Sequence, residues 1–301
     1  AQQSLRTLTN ASRRAPYDIK LPLTIYNTSC YRGIPGKYIA AGPLASRWLQ
    51  QQFASDATLI HSGAQVLGEP AAGYLSHPGY AALPEAPYRY QEMLGVTWRE
   101  NPSCYLQDGE QAVLMAALME TDNQGHPLID AWIKRSGLTA DPWLEKLFEA
   151  TVIPFYHLLC RYGVALIAHG QNVTLVMKDY VPQRILLKDF QGDMRLVDED
   201  FPQAQSLPEQ VKAVTARLSA DYIIHDLQTG NFVTVLRFIS RLTLQCGVSE
   251  IRFYQILAGV LRRYMAAHPE LAERFAMFDL FKPQIIRVIL NPVKLTFSEH
   301  D

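Results

Sequence analysis

Residues 169–192 read HGQNVTLVMKDYVPQRILLKDFQG. Two short strand-forming runs, Val173–Met177 and Arg184–Lys188, are joined by Asp179-Tyr180-Val181-Pro182-Gln183, a turn-forming middle that predicts a β-hairpin. Its flanks carry more polar chemistry than strand packing requires: His169-Gly170-Gln171-Asn172 before the first strand, Lys188-Asp189-Phe190-Gln191-Gly192 at the end of the second. A hairpin brings its two ends together, so the spacing predicts Asn172 close to Asp189. An amide oxygen and a carboxylate are hard ligands suited to Mg²⁺, which keeps several waters and bridges phosphates. His169 lies in the same turn and is placed to contact a reacting oxygen or phosphate as a donor. The plainer alternative is a His-Gly turn with a polar hairpin end, because HGxN alone is a weak motif.

Protein kinases and aminoglycoside-phosphotransferase-like kinases use the same order of catalytic loop, hairpin and metal-binding Asp. Those kinases place an Asp in the loop to take the hydroxyl proton, whereas Gln171 stands in that neighbourhood here and HGQN holds no carboxylate. The pattern argues against phosphoryl transfer to an alcohol and leaves nucleotide and metal binding intact.

Working outward, residues 141–301 read as mostly helical. Asp141-Pro142 predicts an N-cap with proline at the first helical position. Apolar residues at helical spacing follow from Trp143 to Tyr162, with a kink or restart expected at Pro154. Further helices are expected at Leu207–Leu218, Phe232–Gln245, Ser249–His268 and Pro269–Phe278. Residues 1–140 are richer in Gly, Pro and Tyr, with extended stretches at Ile19–Asn27, Ala57–Leu67, Tyr88–Arg99 and Ala112–Met119 around a single helix near Leu44–Phe53. That half predicts an antiparallel sheet with a flanking helix.

The N-terminal half also holds a set of hydroxyls and cations: Ser4-Leu5-Arg6-Thr7, Lys20, and Asn27-Thr28-Ser29-Cys30-Tyr31-Arg32. Arg6 and Thr7 beside a serine suit phosphate oxygens. Lys20 opens a stretch that alternates with Leu21, Leu23 and Ile25, so it is expected to project toward a cleft. Surface cations with no common ligand are the alternative. Arg32-Gly33-Ile34-Pro35-Gly36-Lys37-Tyr38 has the wrong glycine spacing for a P-loop and a Tyr where Ser or Thr should ligate magnesium. The chain has no G-x-S-x-G, H-E-x-x-H or G-x-G-x-x-G, and its remaining histidines share no ligand spacing.

Over 301 residues, 48% apolar and 19% charged with net charge −1, the composition is that of a globular protein with a large core and no basic field for nucleic acid. No apolar run is long enough to span a bilayer. Four scattered cysteines without a CxxC pair read as idle thiols in a reducing compartment, the cytoplasm. The abrupt start at Ala1-Gln2-Gln3-Ser4 reads as part of a longer chain.

The ordered set Ser4-x-Arg6-Thr7, Lys20, Thr28, Arg32, His169-Gly170-Gln171-Asn172 and Lys188-Asp189-Phe190-Gln191-Gly192 resembles the signature of the NRPS-independent siderophore synthetases. Stretches such as SLRTLTNASRR, KLPLTIYNTSCYRGIPGKYIAAGPLASRWLQQ, PYRYQEMLGV, HLLCRYGVALIAHGQN and RFISRL carry the resemblance over essentially the whole chain. It implies an α+β, cupped-hand fold of thumb, fingers and palm, with ATP between fingers and palm. The thumb would precede Ala1; residues 1–140 would be fingers, and 141–301 a palm containing the kinase-like hairpin. Ser4, Arg6, Thr7, Lys20, Arg32, His169, Gln171, Asn172 and Asp189 would bind ATP. Asn172 and Asp189 would hold Mg²⁺, Arg32 and His169 would be catalytic, and Thr28, Arg32 and His169 would meet the substrate. Glu69, Arg99 and Lys188 occupy similar settings as weaker candidates. Some relatives have a Glu where Ile167 stands, so no role resting on that carboxylate transfers. The activity implied is adenylation of a citrate-derived carboxylate, followed by condensation with the amine of N6-acetyl-N6-hydroxylysine and release of AMP and pyrophosphate. Relatives are commonly dimers. A kinase-like phosphotransferase and an inactive nucleotide-binding fragment are the rival readings.

Overall fold

A computed structural model of the chain describes residues 1–2, 4–11, 15–26, 31–34, 36–83, 94–190 and 192–285. Asn27, Thr28, Tyr88–Met93 and Gln191, all part of the expectations above, lie outside the described residues. The described strands are, in chain order, β1 Thr7–Leu8, β2 Tyr17–Lys20, β3 Leu23–Tyr26, β4 Tyr31–Arg32, β5 Gln65–Val66, β6 Ala71–Tyr74, β7 Gly95–Glu100, β8 Glu110–Leu114, β9 Val164–Leu166, β10 Val173–Lys178, β11 Val181–Leu187, β12 Met194–Val197 and β13 Ala216–Leu218. Helices pack around small sheets, an α+β architecture.

The expected hairpin is β10–β11, paired antiparallel from Val173↔Leu187 to Lys178↔Val181. Its turn is shorter than the sequence suggested. Asp179 and Tyr180 alone make it, both at positive φ (49° and 62°), the geometry of a two-residue primed turn that follows the strand twist. Pro182 therefore falls inside β11, where the register slips between Val176 and Met177. A proline without a ladder donor is tolerated at such an irregularity. The hairpin is the centre of a four-stranded sheet in the order β5-β11-β10-β8. That sheet takes strands from both sides of residue 140, and β5 runs parallel to β11, so the sheets are not all antiparallel as expected.

A second sheet, β1-β2-β7-β6, is fully antiparallel. Its register sets Thr7 opposite Lys20, Lys20 opposite Thr97 and Asp18 opposite Arg99. Alternation puts these five side chains on one face. Asp18 is 0% exposed and Arg99 2%, with Thr7 and Thr97 also buried. The other face holds Leu8 at 43% exposed, with Tyr17 and Ile19 also open to solvent. The usual polarity of a half-buried sheet is inverted.

The core is built on the helix Ala140–Tyr162, which packs on β11 and on the helix Glu250–Ala267. Phe148 and Phe253 meet edge to face at 5.0 Å. The helix continues through Pro154 without restarting. It begins two residues earlier than expected: Thr139 is the N-cap, and Asp141 is taken by Arg252 at 2.6 Å instead of capping.

Other expectations are corrected. Ala57–Leu67 is not a strand: Asp56 accepts from the Thr58 and Leu59 amides and starts the helix Ala57–Ser62, Gly63 ends it in the left-handed region, and only Gln65–Val66 is extended. Ala112–Met119 leaves the sheet after Leu114 as a 3₁₀ turn, Met115–Met119. Leu207–Leu218 holds one helical turn, Glu209–Lys212, and then β13, which is drawn into a sheet by β12. The lone helix expected in the first half is Ala41–Ser55, joined among others by Leu128–Ser136. Phe232–Gln245 starts earlier, as a π-helix Gln228–Leu236 running into Arg237–Leu242 and a 3₁₀ turn. Glu250–Ala267, capped by Ser249, falls where expected, and Pro269–Phe278 divides into Pro269–Leu271 and Ala272–Met277.

Candidate active site

The buried face of the β1-β2-β7-β6 sheet and the polar ends of the hairpin meet. Lys20 Nζ lies 2.5 Å from Asp189 Oδ1, and Arg99 Nη1 lies 3.2 Å from the same oxygen. Asp189 follows β11 at φ +63°, a left-handed position that is costly for a non-glycine residue and typical of functional sites. Behind Arg99, Asp18 accepts hydrogen bonds from Gln2 (2.6 Å), Thr9 (2.8 Å) and Asn101 (2.7 Å). Arg99 Nη2 is 3.9 Å from Asp18 Oδ2.

The loop before the hairpin is held from two sides. Asn172 N donates to the His169 carbonyl (2.9 Å), closing the turn, and Ala116 N donates to the Gly170 carbonyl (3.1 Å). A Cβ on Gly170 would stand 3.1 Å from the Ala116 backbone, a tight approach that favours glycine there. On the other side Asn231 Nδ2 donates to the Ala168 carbonyl (2.9 Å) from within the π-helix. The Asn172 side chain donates to Asp193 Oδ2 (3.1 Å) and to the Ile167 carbonyl (3.4 Å), which leaves Oδ1 as its atom for a cation. Gln171 N donates to His169 Nδ1 at 3.3 Å.

Among the other expected residues, Ser4 Oγ donates to Thr7 Oγ1 (2.9 Å), and Thr7 pairs with Lys20. Arg6 donates to the Gly33 carbonyl at 2.5 Å, which brings it beside the end of β4, where Arg32 sits half-buried. The first cluster thus joins Thr7, Lys20, Asp18, Arg99 and Asp189, and the second joins His169, Asn172 and Asp193. The charges of Asp189 and Asp193 act on each other and on His169. Thr28 lies outside the described residues, and Glu69 is buried next to the Ser46 hydroxyl. Sequence reading missed Asp18, Asp193 and Asn231. Asp18 passes for an ordinary strand residue until its neighbours are known, and a π-helix leaves no periodicity to find.

Electrostatics follow from this crowding. Burial alone would raise Asp189, but the Lys20 and Arg99 charges overrule it and hold its carboxyl far below the usual range. Burial pushes Lys188 down to about 8, aided by Arg99 and opposed by Asp189 and Asp18. Burial lowers His169 against the pull of Asp193 and Asp189, which favours the neutral ring at pH 7. Asp193 is raised by burial and by Asp189, with the Asn172 hydrogen bond opposing. Asp226 nearby is raised to about 6, mainly by burial.

Among the described residues no three His, Cys, Asp or Glu side chains could cage a metal. A carboxylate at Asp189 and an amide oxygen at Asn172 nevertheless fit Mg²⁺, which binds through one or two protein oxygens and completes its shell with phosphates and water.

Comparison with known proteins covers both halves. Residues 1–120 match the IucA / IucC family, and residues 141–301 match the family described as Ferric iron reductase FhuF-like transporter. No helix among the described residues is long and apolar enough to cross a membrane. The aerobactin synthase of Escherichia coli is 72% identical over all 301 residues, which cover 52% of its length. The structure of aerobactin synthetase IucC from Klebsiella pneumoniae superposes with a TM-score of 0.89 at 67% identity, over 99% of this chain and 51% of that one. The petrobactin biosynthesis protein AsbB from Bacillus anthracis superposes at 0.85 with 27% identity, over 94% of this chain and 48% of that one. The chain spans about half the length of the relatives it matches.

Proposed function

The chain belongs to the IucA/IucC family of siderophore synthetases, and from that premise we propose that it carries the nucleotide-binding and catalytic part of an ATP-dependent acid–amine ligase of the aerobactin synthase type. The observation that supports this most directly is the meeting of Lys20 and Arg99 with Asp189, which joins the N-terminal cations to the hairpin in one buried site. Residues 1–140 supply the fingers-type phosphate-binding residues and 141–301 the palm-type HGQN and KDFQG motifs.

In the first half-reaction a citrate-derived carboxylate attacks the α-phosphate of ATP, forming an acyl-adenylate and releasing pyrophosphate. Two anions must approach each other, so Arg6, Lys20 and Arg32 neutralise and align them. Ser4 and Thr7 present hydroxyls to the phosphates beside Lys20. The neutral His169 ring and Gln171 line the reacting carboxylate, with Arg32 on the substrate side; Thr28 is carried over as a substrate residue from the family resemblance alone. Asp189 and Asn172 would hold Mg²⁺, which supplies charge neutralisation between the phosphates. In the second half-reaction the amine of N6-acetyl-N6-hydroxylysine attacks the acyl carbon, the bond to AMP breaks and the nitrogen loses its proton.

A cytoplasmic setting accords with ATP as substrate and with Cys104, Cys160 and Cys246 as free thiols. Homodimerisation is carried over with the family reading.

The test is product analysis of the full chain with ATP, Mg²⁺, a citryl mono-hydroxamate and acetyl-hydroxylysine. AMP with pyrophosphate is expected. ADP would replace the reading with a phosphotransferase, and nucleotide binding without turnover would leave a binding fragment.

A further inference from the structure

We propose that Arg99 is a phosphate-binding residue which Asp189 keeps covered until a divalent cation draws that carboxylate away. The inference rests on the nucleotide-binding reading above and adds a residue and a binding order to it.

Arg99 is 2% exposed, yet its Nε and Nη1 make no hydrogen bond among the described residues. Nη1 has the 3.2 Å ion pair with Asp189 Oδ1, and the contacts of Nη2 are long, to Gln2 Oε1 at 3.4 Å and to Asp18 Oδ2 at 3.9 Å. A buried guanidinium with donors unused is costly unless an anion takes them. Asp18 is not that anion. Oδ1 already accepts from Thr9 and Asn101, and Oδ2 from Gln2, so Asp18 aims the guanidinium without engaging its fork. Thr97, two residues earlier on the same face, has a buried hydroxyl that also makes no hydrogen bond among the described residues. Lys20 stands beside the Arg99 guanidinium. A neighbouring cation, guanidinium donors left open and a hydroxyl on one wall are the complement of a phosphate group.

Asp189 Oδ1 stands where such an oxygen would stand, between Lys20 Nζ and Arg99 Nη1. The same carboxylate is the hard ligand that fits Mg²⁺. The two demands compete for the charge of one carboxylate. A cation alone must pull Asp189 from two positive partners, and a polyphosphate alone must displace Asp189 from them. Arriving together, each completes what the other breaks, so their affinities are coupled in both directions.

Calorimetric titration of the full chain with pyrophosphate and with ATP, each with Mg²⁺ or with EDTA, tests this. In the wild type the metal-free ligands should bind about tenfold or more weakly than the Mg²⁺ forms, the worth of a charged hydrogen bond. Asp189→Asn should raise metal-free pyrophosphate affinity about tenfold or more and remove the benefit of Mg²⁺. Arg99→Lys should weaken Mg²⁺-pyrophosphate about tenfold, and in Asp189→Asn/Arg99→Lys the metal-free gain should shrink. Where Arg99→Lys melts early, Asp189→Asn alone decides. Unchanged or weaker metal-free binding in Asp189→Asn, or a gain that survives without Arg99, overturns this inference while leaving ATP binding in place. A wild type that binds neither ligand, with or without Mg²⁺, overturns the nucleotide reading too.

Discussion

Arg32 stands on β4 beside the glycine that accepts the Arg6 guanidinium. Arg32→Ala should lower turnover by ~10²-fold or more, the usual loss for a charged transition-state contact, read as the rate of pyrophosphate release. Asp189→Asn should abolish Mg²⁺-dependent pyrophosphate release even though it binds metal-free nucleotide better. Gly170→Ala sets a Cβ 3.1 Å from the Ala116 backbone, which must shift by a few tenths of an ångström to admit it. Displacement of the His169 loop should lower kcat by about one to two orders of magnitude with little change in melting temperature. At this scale the sequence was informative where a polar residue had no structural excuse. His169, Asn172 and Asp189 bracket strands that pack without them. Asp18 and Asp193 were silent because their roles lie in partners far along the chain: Asn101 and Gln2 for one, Asn172 for the other.

Among elements, the hairpin and the Ser249-capped helix were legible because pattern and punctuation agree there. The helix Ala57–Ser62 was misread although its signals were present: Asp56 caps it, and Gly63 closes it at φ +66°. For a six-residue element the capping signals at its two ends decide over the apolar content between them. Asp56 also ties this helix to the core. Its Oδ2 lies 3.0 Å from His157 Nε2, off the in-line direction of a hydrogen bond, and accepts from the Tyr162 hydroxyl at 3.1 Å. Burial would raise its carboxyl, but the His157 contact and the capped amides hold it well below the ordinary 3.8. A depressed carboxyl contributes stability above its unfolded value and loses it as pH falls through the folded one. Asp56→Ala should therefore cost about 1–2 kcal/mol at pH 7, the range for a lost N-cap. The gap from wild type in thermal melts should narrow once pH drops below 3.8. An unchanged gap at acid pH would remove Asp56 from the linkage. The π-helix Gln228–Leu236 had no legible signal, since its identity lies in backbone pairing set by the loop it supports.

For the molecule as a whole, alternation around Lys20 foretold a side chain turned toward a cleft, and Lys20 does face inward. The consequence for the opposite face was not legible, because nothing local to β2 says which side of a sheet will be wet. Leu8, Tyr17 and Ile19 lie on that exposed face. The pair Leu8→Thr and Ile19→Thr should reduce binding of a hydrophobic dye such as ANS by the full chain, with the melting temperature nearly unchanged. A fall of several degrees would mean these side chains pack more than their exposure indicates.

The inverted sheet also couples folding accuracy to chemistry. Strand side chains repeat every second residue, so moving β2 by a single position against β7 would send Lys20 and Asp18 to the solvent and bring Ile19 into their place. Such a chain would keep most of its hydrogen-bonded ladder and have no charge to offer a nucleotide. On the proposed function, activity would thus be a readout of strand registration: a misthreaded molecule would disclose itself by inactivity before it disclosed itself by unfolding.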